Sequence, residues 1–311
     1  MESDPTQITH DFPPFFRVHT TGHIHRYQQH DFLPPSHDPQ TDVVSRDVVL
    51  SPENPLSVRI YLPKTTKTDP KLPLIFYTHG GGFSIESAFS STYHRYINIL
   101  ASRSRSVVVS VEYRLAPEHP IPACYDDSYA ALKWVDSHSR PGQGPDPWLN
   151  DHADLRRVFL AGDSAGANIA HNTLVRAKKE GGFGIHFSGL ILVHPFFGTG
   201  KPDRVWDYVC PETSGPDDFR LHPMAHPELL SGLGCARVLV CVAEKDFLKN
   251  RGLNYYQSLK KSDWNGVVEI FETAGEPHVF HLFDPTRDNA VSLMTRIVEF
   301  VTSGVHVVSH V

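Results

Sequence analysis

The chain has little of what would tie it to a metal, a membrane or a nucleic acid. Its 311 residues include only four cysteines (Cys124, Cys210, Cys235 and Cys241). They have no framework spacing, which argues against a disulfide-stapled scaffold and for free thiols. Cys241 lies in an apolar, strand-like run, where buried thiols are common. Histidine is plentiful at 20 residues, but no H-E-x-x-H or C-x-x-C pattern gathers them around an ion, so no metal is expected. Walker and G-x-G-x-x-G signatures are missing too, and no other cofactor is expected. Lysine and arginine (29) are outnumbered by aspartate and glutamate (35), for a net charge of −6. With no basic tract, nucleic acid and anionic membrane surfaces are disfavoured as main partners. No apolar run approaches a membrane span. Met1 to Thr9 is acidic and polar, with no apolar signal-peptide core. A reducing, cytoplasmic setting is expected, for a monomer or homodimer.

The rest is ordinary soluble composition, 40% hydrophobic and 21% charged, and residues 1–311 are read as a single α/β domain. Residues 1–40 are rich in proline, histidine and aromatics and only weakly periodic. Phe12, Phe15 and Phe16 cluster around Pro13-Pro14, as in an arm that covers an apolar surface. Residues 43–50 and 56–62 alternate on either side of Ser51-Pro52-Glu53-Asn54-Pro55, which predicts an antiparallel hairpin opening the sheet. Beyond Leu72 the rhythm becomes strand, loop, helix. Strands are predicted at 73–78, 107–112, 157–161, 189–194, 237–243 and 267–272. Their near-continuous apolar character suits parallel strands buried on both faces. Helices are predicted at 126–138, 166–179 and 286–303. The fold class is therefore α/β, with a mostly parallel, doubly wound sheet and an antiparallel N-terminal hairpin. Residues 198–234 break the rhythm. This proline- and glycine-bearing stretch contains Trp206 and Tyr208 and follows the carboxyl end of a strand, a place where insertions commonly cap a site.

Three segments carry chemistry. Gly162-Asp163-Ser164-Ala165-Gly166 fits G-x-S-x-G between a predicted strand and helix, the sharp turn that exposes a serine hydroxyl. Ser164 is the expected nucleophile. His79-Gly80-Gly81-Gly82 follows the strand ending at Thr78, and a loop without side chains lets backbone amides approach an oxyanion closely. The expected oxyanion hole comprises His79, Gly80, Gly81, Gly82 and Ala165, with the amides of Gly81, Gly82 and Ala165 as donors. Asp246 and His278 follow the last two strands and so emerge on the edge that holds Ser164. His278 is the expected base and Asp246 its orienting acid. His281 competes with His278, but is expected to pack inward with Phe280 and Phe283. Asp246 has a purely structural alternative as a helix N-cap, and Asp163 is expected to point away from the serine as a structural hydrogen-bonding residue. Phe83, Ile85, Phe196, Phe197 and Val279 are candidate pocket residues, with Phe12, Phe15 and Phe16 as a lid. Each of these has ordinary core packing as its alternative.

HGGGF (79–83), YRLAPEHP (113–120), GDSAGAN (162–168), VAEKD (242–246) and GEPHVFHL (275–282) together resemble the plant carboxylesterases of the hormone-sensitive-lipase-like branch of the α/β-hydrolases. The resemblance runs from about Phe15 to the C-terminus. It implies the α/β-hydrolase fold, hydrolysis of small to medium carboxylic esters through an acyl-enzyme, and the triad Ser164, Asp246 and His278. It also implies a small cap built from the N-terminal arm and the segment after strand 189–194. The connection between Gly198 and Trp206 is short for that family, which implies either a reduced cap with a more open acyl or alcohol pocket, or a fold compromised at that point. Gibberellin receptors resemble the same family but lack the catalytic histidine, whereas His278 is present here. Hydroxyisoflavanone dehydratases share the scaffold, some with threonine at the nucleophile position, where this chain has Ser164.

Overall fold

The structure, a computed structural model, describes residues 7–303 apart from 52, 54–55, 67–68 and 141–143. Residues 7–40 carry more order than their weak periodicity suggests. β1 (Ile8–Phe12), β2 (Phe16–His19) and β3 (Ile24–Arg26) pair antiparallel into a small separate sheet. These strands are too short for alternation to register, so pattern alone misses them. Phe12 and Phe16 are core residues that pack on Tyr208 with ring centroids 4.7 and 5.9 Å away.

The main sheet contains β4 (His37–Asp38), β5 (Val43–Ser51), β6 (Leu56–Pro63), β7 (Leu72–Thr78), β8 (Val107–Glu112), β9 (Ala153–Asp163), β10 (Phe187–Val193), β11 (Arg237–Ala243) and β12 (Val267–Thr273). Their order is β12-β11-β10-β9-β7-β8-β6-β5-β4. β7 to β12 run parallel, while β4, β5 and β6 add on antiparallel. The expected hairpin is β5–β6, in register at Val48 and Val58; Pro52, Asn54 and Pro55 of its turn lie outside the described residues, as do Met1 to Thr6. Helices are α1 (Ser91–Ser104), α2 (Ala123–Asp136), α3 (Pro147–His152), α4 (Ala165–Glu180), α5 (Arg204–Val209), α6 (Pro227–Ser231), α7 (Lys249–Lys261), α8 (Phe280–Phe283) and α9 (Asp288–Thr302). α1 escapes the sequence reading because its apolar face is built of Tyr93, Tyr96, Ile97 and Leu100 among polar residues. Residues 198–234 contain α5, a 3-10 turn at Pro223–Ala225 and α6.

Parallel strands β7 to β11 are largely buried on both faces, and alternate residues feed two separate cores; β12, at the sheet edge, is only half-buried, unlike the expectation for 267–272. In β7, Leu74 and Phe76 face one core while Ile75 and Tyr77 face the other. β11 divides in the same way, Val238, Val240 and Val242 against Leu239, Cys241 and Ala243. Full burial of each such aliphatic or aromatic side chain is worth about 1.5–3 kcal/mol. That sandwiching holds the carboxyl ends of β7, β9, β10, β11 and β12 at one edge, where the loops carrying Gly80, Ser164, His194, Asp246 and His278 leave the sheet.

Several histidines are buried with depressed proton affinity, His79, His171, His194 and His281 most strongly. Burial lowers His79 to about 4, His171 and His281 to about 3, and His194 well below the usual value. In the unfolded chain each titrates near 6.5, so below that pH the unfolded state binds the extra protons. Each histidine's stability contribution is therefore present above pH 6.5 and is lost as the pH falls toward its folded value. Asp163 acts in the opposite sense, since burial raises it to about 6 and its protonation on folding offsets part of the loss between pH 6 and 4. His171 provides the cleanest test, because neither ring nitrogen has a partner and the ring lies edge-on to Phe197 and Tyr255. Urea-denaturation stability is expected to fall from pH 6.5 to 4.5. His171→Leu should make that fall shallower, by up to about 1.4 kcal/mol per pH unit; identical slopes in the two proteins would contradict the assignment.

Candidate active site

Ser164 joins β9 to α4 with φ 52° and ψ −119°, a conformation few non-glycine residues adopt. Its backbone is pinned on both sides, the amide donating to the Val193 carbonyl at 2.9 Å and the carbonyl accepting from Phe196 N–H at 3.0 Å. Glycine at 162 and 166 is a matter of space. A Cβ on Gly162 would meet the Gly166 backbone and the Thr78 carbonyl, and one on Gly166 would run into the carbonyls of Thr78 and His79. The turn brings strand, helix and the loop after β7 into backbone contact, and Ser164 is only 7% exposed.

His278, between β12 and α8, places Nε2 2.9 Å from Ser164 Oγ and Nδ1 2.9 Å from Asp246 Oδ2. Asp246 does not fill the anticipated N-cap position, which Leu248 occupies without a side-chain cap. Its second oxygen accepts from Leu248 N–H at 2.7 Å, ahead of α7. Burial alone would raise the Asp246 carboxyl, but the His278 hydrogen bond and charge, with the Leu248 amide, outweigh it and hold the group below its ordinary value. The histidine loop is fixed from behind. Val279, at φ 44°, donates its N–H to His194 Nδ1 at 2.9 Å. His194 was not singled out by sequence; its position directly after β10 is the available signal. His194, Asp246 and His278 bring potential metal-ligating atoms within 4.8 Å of one another. Those atoms are already engaged, however: His194 Nδ1 by Val279, and His278 by Asp246 and Ser164.

His281 is buried with neither nitrogen partnered, and packs against Tyr96 away from the serine. Phe280 is buried beside it, but Phe283 is 74% exposed and does not pack inward. In a helix as short as α8, the core-facing side holds Phe280 and His281 and leaves Phe283 on the cavity rim.

The glycine loop divides into support and surface. Gly80 N–H is already committed, donating to Tyr93 Oη at 2.7 Å. The His79 ring is fully buried, stacks on Tyr113 at 4.2 Å and places Nδ1 2.9 Å from the Gly80 carbonyl. His79 and Gly80 therefore shape the loop from beneath. Gly81 (φ 102°) and Gly82 (φ 57°) line the cavity with Ser164. Among the described residues, the amides of Gly81, Gly82 and Ala165 have no acceptor. Asp163 is turned away from the base and accepts from Tyr77 and Tyr93 hydroxyls, each at 2.8 Å.

A cavity of about 430 Å³ opens over Ser164 and His278. Ile85, Phe196 and Val279 line it as expected of pocket residues. Phe83 and Phe197 do not: Phe83 is wedged edge-on against Phe196 and Trp206, and Phe197 stacks on Tyr255 at 4.7 Å, both fully buried. Of the three arm phenylalanines only Phe15 reaches the cavity, beside Pro13 and Pro14, because Phe12 and Phe16 are taken up by the core. Sequence reasoning missed Glu86, Phe247, Arg251 and Phe283 on the same walls. Phe247 adjoins Asp246 in the chain, a signal that was available. Arg251 is paired with Asp203 at 3.1 Å and also donates to the Phe197 carbonyl at 2.9 Å.

A family model described as alpha/beta hydrolase fold matches residues 75–282. Probable carboxylesterase 13 of Arabidopsis thaliana is 46% identical, over 95% of this chain and 98% of its own length. The 2-hydroxyisoflavanone dehydratase of Glycyrrhiza echinata is 42% identical, over 95% of this chain and 96% of its own. Among solved structures, a hyperthermophilic esterase from the archaeon Pyrobaculum calidifontis superposes with a TM-score of 0.65 at 30% identity, covering 86% of each chain. With its parallel sheet, its serine at the β9–α4 turn and these relatives, the chain belongs to the α/β-hydrolase family.

Proposed function

We propose that the chain is a serine carboxylesterase that hydrolyses small to medium carboxylic esters, with Ser164, His278 and Asp246 as its triad. The observation that carries this reading is the unbroken line Oγ–Nε2, Nδ1–Oδ2, with both separations 2.9 Å, at the floor of a cavity. Ser164 Oγ attacks the acyl carbon as His278 Nε2 takes its proton. The tetrahedral oxyanion receives hydrogen bonds from the amides of Gly81, Gly82 and Ala165. His278 then returns the proton to the departing alcohol, and water repeats the sequence on the acyl-enzyme. Asp246 keeps Nδ1–H pointed inward and stabilises the imidazolium that forms. One oxyanion donor is typically worth about 3 kcal/mol in the transition state.

Residues 1–40 and 198–234 act as the cap in this reading. The arm supplies Pro13, Pro14 and Phe15 to the cavity wall and the later segment supplies Asp203 and Val205. The setting is a reducing one such as the cytoplasm, which the four free, buried cysteines favour; no helix of the described residues is long and apolar enough to cross a membrane. A dehydratase on the same scaffold is the second reading, supported by the 42% identical relative of that activity. A receptor without catalysis is disfavoured by the intact His278.

The purified protein is expected to hydrolyse 4-nitrophenyl acetate and butyrate. Ser164→Ala should lower turnover by a factor on the order of 10⁶, and Asp246→Asn by about 10⁴. A folded wild-type protein that turns over neither ester, or an alanine variant that keeps its rate, would overturn the esterase reading. Tyr93→Phe leaves Gly80 N–H and a buried Asp163 oxygen unpaired, which should cost about 1–3 kcal/mol of stability. It should also lower kcat by loosening the loop that carries Gly81 and Gly82; thermal melts and steady-state kinetics check the two effects separately.

A further inference from the structure

His194 is no member of the triad, yet the residues flanking it hold both the nucleophile and the base. Val193 accepts the Ser164 amide at 2.9 Å, and Phe196 donates its N–H to the Ser164 carbonyl at 3.0 Å. Between these contacts His194 donates its own N–H to the Cys241 carbonyl at 2.8 Å, and its Nδ1 accepts Val279 N–H at 2.9 Å. Val279 directly follows His278. The segment 193–196 is therefore bonded to the serine at two points and to the histidine loop at a third, and it fixes one relative to the other.

The donor in the third contact is a backbone N–H, so Nδ1 must accept, and the proton of the neutral ring belongs on Nε2. Nε2 is buried without a partner, a costly placement for a polar atom, and the contact with Val279 outweighs it. Burial holds the ring in its neutral form. A proton on Nδ1 would oppose Val279 N–H and would face Asp246 Oδ2, 4.0 Å away, the oxygen that His278 uses. The same bond restrains a strained residue. Val279 is β-branched and sits at φ 44°, a conformation such residues adopt only where their surroundings enforce it. His194 on its N–H, and Leu282 N–H on its carbonyl at 3.0 Å, supply that enforcement. Without His194, Val279 would relax and turn the preceding His278 out of line with Ser164 Oγ.

We propose that His194 is a positioning residue, which holds Val279 through Nδ1 as acceptor and so keeps His278 Nε2 aligned on Ser164 Oγ. The inference rests on the esterase reading of the site and adds to it a fourth side chain on which turnover depends.

The test measures kcat/KM for 4-nitrophenyl butyrate, well below the melting temperature of each variant. His194→Phe keeps a buried ring without an acceptor, and should lose a factor on the order of 10², as a small misplacement of a reacting group does. His194→Asn offers Oδ1 near the place of Nδ1 and tolerates the φ of 49° at this position, so it should recover most of that loss. His194→Gly accepts the same φ but has no acceptor, and should stay low. Glycine as active as asparagine would leave the backbone conformation as the cause, and His194→Phe at the wild-type rate would leave no role for the ring; either result overturns the proposal. Should His194→Phe fail to fold, the comparison of asparagine with glycine still decides. The wild type supplies a second measurement. Imidazole nitrogen NMR spectra, with His194 assigned by its loss in His194→Asn, should show Nε2 protonated and Nδ1 bare; a proton on Nδ1 overturns the proposal without any variant. Variants as active as the wild type refute this proposal alone, whereas a folded wild type that leaves the ester intact refutes the esterase reading.

Discussion

The close approach of three backbone segments at the β9–α4 turn is the constraint on which the remainder of the site depends. Gly162 and Gly166 are packed so tightly against Thr78 and His79 that neither has room for a Cβ. That contact sets the separation between the serine and the glycine loop, because the loop begins at the residues being touched. Thr78 reinforces the seam, its hydroxyl donating to the Gly166 carbonyl at 2.7 Å. A nucleophile and its oxyanion donors must sit within a few tenths of an ångström of their working positions. Under the proposed assignment, backbone-to-backbone packing sets that spacing, with less freedom than side chains would have.

Asp163 extends the same constraint outward. One oxygen takes the Tyr77 hydroxyl from inside the sheet, and the other takes Tyr93 from α1. Because the Tyr93 oxygen also accepts Gly80 N–H, the strand, the helix and the glycine loop share a single hydrogen-bonded knot. Around the base the arrangement is electrostatically one-sided. His194 and His281 are buried, and burial keeps both in the neutral form. Asp246 is thus left as the ionised neighbour of His278, and in the proposed reaction the positive charge on His278 would meet a carboxylate without competition from other imidazolium ions.

How much of this was legible in the sequence follows from which interactions are local. The strand and helix cores announce themselves through apolar runs, and the elbow through glycines at fixed spacing about Ser164. Asp246 and His278 follow from their positions just past two strands. Long-range packing decides the rest. Phe83 and Phe196 look equivalent in the chain, yet Trp206, a residue distant in sequence, covers one and leaves the other facing the cavity. Gly80 looks as available as Gly81 until Tyr93 of α1 claims its amide. Phe12, Phe15 and Phe16 form one cluster by sequence, and Tyr208 separates them by drawing two into the core.

The N-terminal arm connects these levels. Its sheet is anchored where Arg26 bonds the Ser84 carbonyl at 2.7 Å and pairs with Glu118 at 2.6 Å. A few residues on, it pairs backbone to backbone with the segment that opens α1. The anchored stretch is therefore the glycine loop's own continuation, residues 84–91, so ordering the arm also orders the loop that carries Gly81 and Gly82. Phe15 completes the contact by filling the space that a Cβ on Gly82 would need. Glycine at 82 is required by its φ of 57° and again by an arm seated this close. An arm that packs on the glycine loop couples closure of the pocket to the geometry of the amides at its floor.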